Sequence, residues 1–299
     1  MMVLSLFDGI SCGMVALKRV NIPIEKYVAY EIDKYAIQIS QKHYPQIEQC
    51  GDVTIAEFKQ YKNYDLLIGG SPCQDLSIAS GKRRVGLNGS RSSLFWHYVR
   101  ALNECKPKYF LFENNYRMPK DAEYTITKEL GVQPILINSS SFSAQSRNRL
   151  YWTNIPVDVD YINSIANKTR IVDILESKVD EKYYVPKPVV LRENILTQLD
   201  KPKILYIGDL VMKGSQQIRR VYSKWGLSPT VDTAQGGYRQ VKIYDDGLVR
   251  KLTPLEYERL QTLPDNYTQG ISDTQRYKCI GNGWTIDVIA YILSRLKGN

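Results

Sequence analysis

Cys73 is the residue whose type and setting first suggest covalent chemistry. It stands in Gly69-Gly70-Ser71-Pro72-Cys73-Gln74-Asp75-Leu76-Ser77, directly after the apolar run Tyr64-Asp65-Leu66-Leu67-Ile68. An apolar run broken by Gly-Gly and then Pro reads as a buried strand emptying into a tight loop, where a nucleophilic thiol would sit at the tip. The plainer alternative is a small core residue, because unpaired cysteines are usually buried and inert.

A second group could hold a ligand. Phe7-Asp8-Gly9-Ile10-Ser11-Cys12-Gly13 lies between an apolar strand and a helix, where glycine admits close backbone approach and a helix start offers free N–H groups. The dinucleotide fingerprint G-x-G-x-x-G is absent. Glu31 ends the next strand, a position suited to ribose hydroxyls, and Asp52 ends the one after. A loop glycine and two such carboxylates without a pyrophosphate cradle describe an adenosine pocket that fits S-adenosylmethionine better than NAD. The alternative, that Glu31 and Asp52 merely cap helices, stays open.

The elements that must position these residues alternate. Strands are expected at Val3 to Phe7, Tyr27 to Tyr30, Tyr64 to Ile68, Lys108 to Phe112 and Val132 to Ile137. Helices are expected from Met14 to Val20, Asp33 to His43, Ser92 to Cys105 and Lys120 to Leu130, with a short one from Thr54 to Tyr61. That rhythm predicts an α/β fold with a doubly wound, mostly parallel sheet whose ligands bind at the carboxyl ends of its strands. From Trp152 to Lys242 the rhythm gives way to short β-rich runs between prolines and glycines. Leu255 to Thr262 and Thr285 to Leu296 regain helical spacing.

Composition removes other classes. Five cysteines show no CxxC pairing and only His43 and His97 are histidines, which excludes a zinc site and a disulfide framework. The start carries no basic signal-peptide region, and no apolar run could span a bilayer. The expected setting is a reducing cytoplasm. A net charge of +9 over 299 residues and a pI near 9.1 favour a polyanionic partner. Lys82-Arg83-Arg84 and Arg91 follow the cysteine loop.

Six motifs, in order, resemble those of the DNA (cytosine-5)-methyltransferases, and together they cover nearly the whole chain. Phe7-Asp8-Gly9 with Gly13 resembles the first cofactor motif, Ser71-Pro72-Cys73-Gln74 the nucleophile loop, and Phe112-Glu113-Asn114 the Glu-Asn-Val motif. Gln145-Ser146-Arg147-Asn148-Arg149 resembles Q-x-R-x-R, and Arg250 through Pro264 resembles R-x-L-T-x-x-E-x-x-R-L-Q-x-x-P. Gly281-Asn282 resembles the closing Gly-Asn. Ser11 and Cys12 replace glycines, Asn115 replaces the usual valine, and Gly283-Trp284 follows the last motif. Leu6-Phe7-Asp8-Gly9-Ile10, the run from Gly69 to Ser77 around Cys73, and the late Trp284 look closer to the animal de novo branch and its phage and bacterial relatives.

The resemblance implies a Rossmann-like S-adenosylmethionine-dependent catalytic domain at 1–154, a smaller irregular β-rich target recognition domain at 155–242, and a segment at 243–299 completing the catalytic domain. It implies S-adenosylmethionine as cofactor, held by Phe7, Asp8, Gly9, Ile10, Ser11, Glu31, Ile32, Asp52, Val53, Gly70, Pro72, Asn282 and Trp284, and no metal. Cys73 would add to carbon 6 of cytosine, making an enamine that can take a methyl group at carbon 5. Glu113 would supply a proton at N3. Arg149, and more loosely Arg147, would hold O2 and the flanking phosphate. The cytosine would be flipped out of double-stranded DNA, and the basic segment from Ser80 to Ser93 would close over it. Lys213, Ser215, Gln216, Gln217, Arg219 and Arg220 are candidates for reading bases, with phosphate gripping the alternative. A monomer is expected, with no obligatory restriction endonuclease. A tRNA cytosine-5 methyltransferase and a catalytically silent DNA-binding regulator remain as alternatives.

Overall fold

The computed structural model describes residues 1–72, 94–192, 203–234 and 238–298. Cys73 and the basic segment after it therefore lie outside the described residues. The chain divides into two compact units, one of residues 1–137, 148–160 and 289–299, the other of 138–147 and 161–288.

The first unit is built on a seven-stranded sheet. Its strands are β1 (Met2–Leu6), β2 (Lys26–Tyr30), β3 (Glu48–Gln49), β4 (Leu66–Gly69), β5 (Tyr109–Asn115), β6 (Ile135–Asn138) and β7 (Asn148–Thr153), in the order β3-β2-β1-β4-β5-β7-β6. The first five run parallel and β7 pairs antiparallel with β5. Strand order reverses between β1 and β4, which makes their carboxyl ends the expected place for ligands. This matches the doubly wound architecture read from the sequence.

The first unit's helices are α1 (Cys12–Arg19), α2 (Lys34–His43), α3 (Phe95–Cys105) and α4 (Lys120–Leu130), and α5 (Val159–Ser164) crosses into the second unit. Asp33 caps α2 by accepting from the N–H groups of Tyr35 and Ala36, and Gly131 stops α4 in the left-handed conformation at φ 69°. Phe112 is the hub of the core. Its ring lies 4.7 Å from Tyr98, 5.4 Å from Phe95 and 6.0 Å from Trp152, centroid to centroid. Side chains alternate along a strand, so anchoring Phe112 in the core directs Glu113 to the opposite face.

The second unit carries its own sheet. Its strands β8 (Val189–Leu191), β9 (Tyr206–Leu210), β10 (Arg220–Ser223), β11 (Lys242–Asp245) and β12 (Leu248–Lys251) lie in spatial sequence β12-β11-β10-β9-β8. Ile207, Leu210, Val221 and Val249 form the apolar side. Helices α6 (Gln216–Arg219), α7 (Pro254–Leu260) and α8 (Asp273–Asn282) belong to this unit, and α9 (Ile286–Ser294) crosses the division.

The division differs from the expected one at 155–242. Residues 243–288 go with the second unit, and only 289–299 join the first. The reason lies in pairing. β11 and β12 are strands of the second sheet, and Arg250 on β12 meets Glu256 of α7 in a buried two-point ion pair, Nη1 to Oε2 at 2.9 Å and Nη2 to Oε1 at 2.8 Å. Two elements escaped the sequence reading. β7 opens on polar Asn148-Arg149, and α8 has few apolar residues to mark a helical stripe.

Candidate active site

The turn from β1 into α1 is held from below. Phe7 and Ser11 adopt left-handed φ of 60° and 59°, a conformation non-glycine residues hold only when their surroundings enforce it. The enforcement is Asp8, whose buried carboxylate accepts from Ser5 Oγ at 2.6 Å, Tyr27 Oη at 2.7 Å and Ser11 Oγ. With its one hydrogen on Asp8, Ser11 Oγ accepts from the Ser40 hydroxyl at 2.6 Å. Burial pushes the Asp8 carboxyl up to about 6, against the opposing effect of the hydroxyl donors. Asp8 and Ser11 thus turn inward, and their side chains shape the turn instead of lining a pocket.

What the turn offers outward is backbone. A Cβ at Gly9, where φ is 59°, would meet nothing within 4 Å. The Gly9 N–H donates to Glu31 Oε2 at 2.8 Å, while Glu31 Oε1 accepts from the N–H groups of Ile32 and Asp33 at 2.7 and 2.8 Å. Glu31 therefore ties two strand ends together and keeps lone pairs for a ligand. Beside it, the side chain of Ile32 is left 73% exposed, an apolar surface without cover. Asp52 caps a turn of 3₁₀ helix by accepting from Thr54 N–H at 2.8 Å, a bond that holds its carboxyl below the usual range. Val53 behind it is buried. The capping alternative thus describes Asp52, whereas Glu31 caps no helix and the cap of α2 is Asp33. These residues fit an adenosine-bearing cofactor: open backbone at Gly9, acceptors at Glu31 and Asp52, and an apolar plate at Ile32.

Two of the candidate catalytic residues meet at the end of β5. Glu113 is buried and pairs with Arg149 on β7, Oε1 to Nε at 2.9 Å. The register explains the contact. Glu113 stands opposite Tyr151, Asn115 opposite Arg149, so Glu113 and Arg149 are diagonal neighbours on one face. Asn114, 2% exposed, turns the other way. Its Nδ2 reaches Ser71 Oγ at 3.4 Å and Ser71 carbonyl at 3.5 Å. Since β4 lies beside β5 with Gly69 opposite Phe112, Asn114 ties the exit of β4 to the strand that carries Glu113. A Cβ at Gly69 would come within 2.8 Å of the Leu6 carbonyl, so close strand packing requires glycine there. Gly70 and Pro72 flank Ser71.

Q-x-R-x-R divides between the two units. Arg149 belongs with Glu113, but Gln145 and Arg147 belong to the second unit. Arg147 is 4% exposed. Its guanidinium donates to the carbonyls of Val231 at 3.0 Å, Gly281 at 3.3 Å and Gly283 at 3.0 Å. Such a buried cation rivets loops of its own unit, a geometry that differs from the expected grip on a flanking phosphate. Gln145 does likewise, donating to Leu260 carbonyl and accepting from Val231 N–H. Asn282 ends α8 in an exposed position, with half-buried Trp284 two residues on, both in the second unit.

The described cysteines narrow the choice of nucleophile. Cys12, Cys105 and Cys279 are buried, and burial pushes the Cys105 thiol up to about 12. Cys50 follows β3, the edge strand four positions from β5, a separation of about 19 Å at ordinary strand spacing. Among the described residues no cluster of His, Cys, Asp or Glu could hold a metal ion, and no helix is long and apolar enough to cross a membrane.

Residues 1–298 match the model of the C-5 cytosine-specific DNA methylase family. The chain belongs to that family. It is 29% identical to the type II methyltransferase M.NlaX of Neisseria lactamica, with 99% of this chain and 96% of that protein aligned. The orphan methyltransferase M.SPRI of Bacillus phage SPR is 27% identical, over 98% and 97% of the two chains. Among solved structures, S. pombe Dnmt2 methyltransferase superposes with a TM-score of 0.71 at 20% identity, covering 99% of this chain and 98% of its own. Entamoeba histolytica methyltransferase EhMeth gives 0.73 at 18%, covering 99% and 97%. These two likenesses are of fold.

Within the cytosine-5 methylase motifs, two roles escaped the sequence reading. The Asp8 network draws on Tyr27 and Ser40, which carry no motif signal. Asn114 could have been suspected, because a polar residue adjoining Glu113 in a strand otherwise this apolar must find a partner.

Proposed function

We propose that this chain methylates carbon 5 of cytosine in double-stranded DNA through a covalent Cys73 adduct. The observation that carries the reading is the buried Glu113–Arg149 pair at the end of β5, with Asn114 tethering Ser71 two residues before Cys73 in the chain. A carboxyl, a guanidinium and a loop thiol are the groups that addition to a pyrimidine ring requires.

Carbon 5 of cytosine is a weak nucleophile. Attack by the Cys73 thiolate on carbon 6 forms the S–C bond and moves the ring electron pair toward N3, where Glu113 donates a proton. The resulting enamine carbon takes the methyl group; loss of the C5 proton then returns the electron pair that expels the thiolate, and N3 gives its proton back to Glu113. S-adenosylmethionine, when bound, supplies the electrophilic methyl group. Gly9, Glu31, Ile32 and Asp52 would hold it, with Phe7, Ile10, Val53, Gly70 and Pro72 around them. Arg149 orients the Glu113 carboxyl and, as the neighbouring cation, is placed to contact O2. Because carbon 6 is shielded in a stacked duplex, the reaction calls for a flipped base.

The test uses a DNA duplex bearing 5-fluorocytosine at the position that bisulfite sequencing of plasmid from expressing cells finds methylated. Fluorine cannot leave as a proton does, so the enzyme should stay attached through denaturing electrophoresis. The adduct should require S-adenosylmethionine, vanish in Cys73→Ala and persist when Cys12, Cys50, Cys105 or Cys279 is replaced by serine. Methylation of tRNA with none of duplex DNA, or robust methylation by Cys73→Ala, would overturn the reading.

A further inference from the structure

The end of β5 carries one polar side chain that the proposed chemistry leaves unused. Asn115 is the last residue of that strand and stands directly opposite Arg149 of β7, at the place where the family's motif usually has valine. Directly opposed residues share a face, as do residues two apart along a strand. Asn115 therefore lies on the face of Glu113 and Arg149, about 7 Å beyond Glu113 toward the carboxyl end of the sheet, while Asn114 between them turns the other way.

Its amide has a fixed orientation. Asn115 Oδ1 accepts from the Arg117 N–H at 3.1 Å, a local turn of the kind Asn side chains commonly close. The acceptor is thereby occupied, and the Nδ2 group, which bonds none of the described residues, is left to donate. The side chain is half-buried, not sealed in the fold. What faces it follows from the base. Glu113 meets N3, Arg149 is placed for O2 on the adjoining carbon, and the next ring atom, N1, carries the sugar. A donor beyond Arg149 thus faces the sugar and phosphate of the flipped nucleotide, where the charged phosphate oxygens are the strong acceptors. Arg147, expected on that phosphate, is committed to the carbonyls of Val231, Gly281 and Gly283.

We propose that Asn115 is a substrate-binding residue that donates from Nδ2 to a phosphate flanking the target cytosine, in place of Arg147, and so holds the flipped nucleotide against Glu113 and Arg149. A neutral donor suits the position, because it binds phosphate without drawing the Glu113 carboxylate away from Arg149 as a second cation would. The assignment rests on the proposed action on cytosine in duplex DNA.

The experiment measures kcat/KM for wild type, Asn115→Val and Asn115→Asp on duplexes with either a normal phosphate or a neutral methylphosphonate on each side of the target cytosine. Hydrogen bonds to charged groups are worth about tenfold to a hundredfold. Wild type should lose about tenfold or more at one of the two methylphosphonates, and Asn115→Val should show that loss already on the normal duplex, with little further loss at the same methylphosphonate. Asn115→Asp keeps the bond from the Arg117 N–H but sets a negative charge against the phosphate. It should be the slowest on the normal duplex and recover on the methylphosphonate one, with S-adenosylmethionine affinity unchanged in both variants. Wild-type rates from Asn115→Asp, mutant and methylphosphonate losses that simply add, or altered cofactor affinity would assign Asn115 to the fold and overturn the proposal. Should Asn115→Val fail to fold, the recovery of Asn115→Asp decides alone. Wild type inactive on every duplex would refute the proposed function; wild type active with additive losses would refute this assignment alone.

Discussion

In the proposed mechanism Glu113 gives a proton to N3 while the Arg149 guanidinium holds its carboxyl at 2.9 Å. Glu113→Gln keeps the shape and removes the proton. We expect turnover to fall about a hundredfold or more, with S-adenosylmethionine affinity unchanged by calorimetry; near-normal turnover would remove Glu113 from the role. Asp8 gives a prediction about pH. Its carboxyl lies at about 6 when folded against 3.8 for the free residue. The folded chain then holds the extra proton between these values, so this group's contribution to stability falls as pH rises through that window and stays reduced above it. The swing is up to about 3 kcal/mol. Asp8→Asn removes it, so the stability of the mutant relative to wild type, followed by urea unfolding, should improve from about pH 4 to pH 7. A pH-independent difference would contradict the buried carboxyl. At this scale the sequence was legible in residue type but not in direction. Glu113 and Arg149 meet in a contact the sequence did not announce, and Asp8, Ser11 and Arg147 turn into the fold, because which way a side chain points depends on partners such as Tyr27 or Val231 that no local pattern marks.

Among the elements, the R-x-L-T-x-x-E stretch shows how a motif can be strong without being chemical. Thr253 and Glu256 cap α7 reciprocally, and Glu256 at 0% exposure neutralises Arg250 at 1%. Removing one partner leaves a buried charge without its counterpart, typically a loss of about 3–5 kcal/mol. Glu256→Gln should therefore destabilise the chain by roughly that amount, and the double variant with Arg250→Met should lose less than the sum of the singles in denaturant unfolding. Additive losses would mean the pair is not coupled. Gly281 of the Gly-Asn motif is similar: a Cβ there would stand 2.3 Å from the Asp232 carbonyl carbon and 2.6 Å from Thr233 N. The parallel strands and their helices were legible from apolar runs and turn residues. β7 and α8 were not, because each is fixed by long-range contacts, β7 by pairing with β5 and α8 by Tyr277, Cys279 and Ile280 burying on one side.

For the whole molecule, the division of the chain was the least legible feature. Continuity suggested that residues after 242 return to the catalytic sheet, but strand pairing and the Arg250–Glu256 contact assign most of them to the second unit. Net charge, by contrast, is a property of composition and carries a prediction of its own. At +9 the chain should use cations on phosphates, and each phosphate neutralised releases condensed counterions. The logarithm of the binding constant then falls with the logarithm of salt at a slope of about −0.9 per contact. Three contacts would weaken binding about fortyfold between 50 and 200 mM salt, and more contacts would steepen the fall. Titrating a fluorescent duplex across that range should give a slope of about −2.7 or steeper. Arg219→Met, if it removes a base contact, should lower affinity for the preferred duplex with little change in slope, whereas Lys213→Ala, if Lys213 grips a phosphate, should make the slope shallower by about one unit. A slope near zero for wild type would mean that the positive charge is not used on DNA, and that binding rests on groove contacts alone.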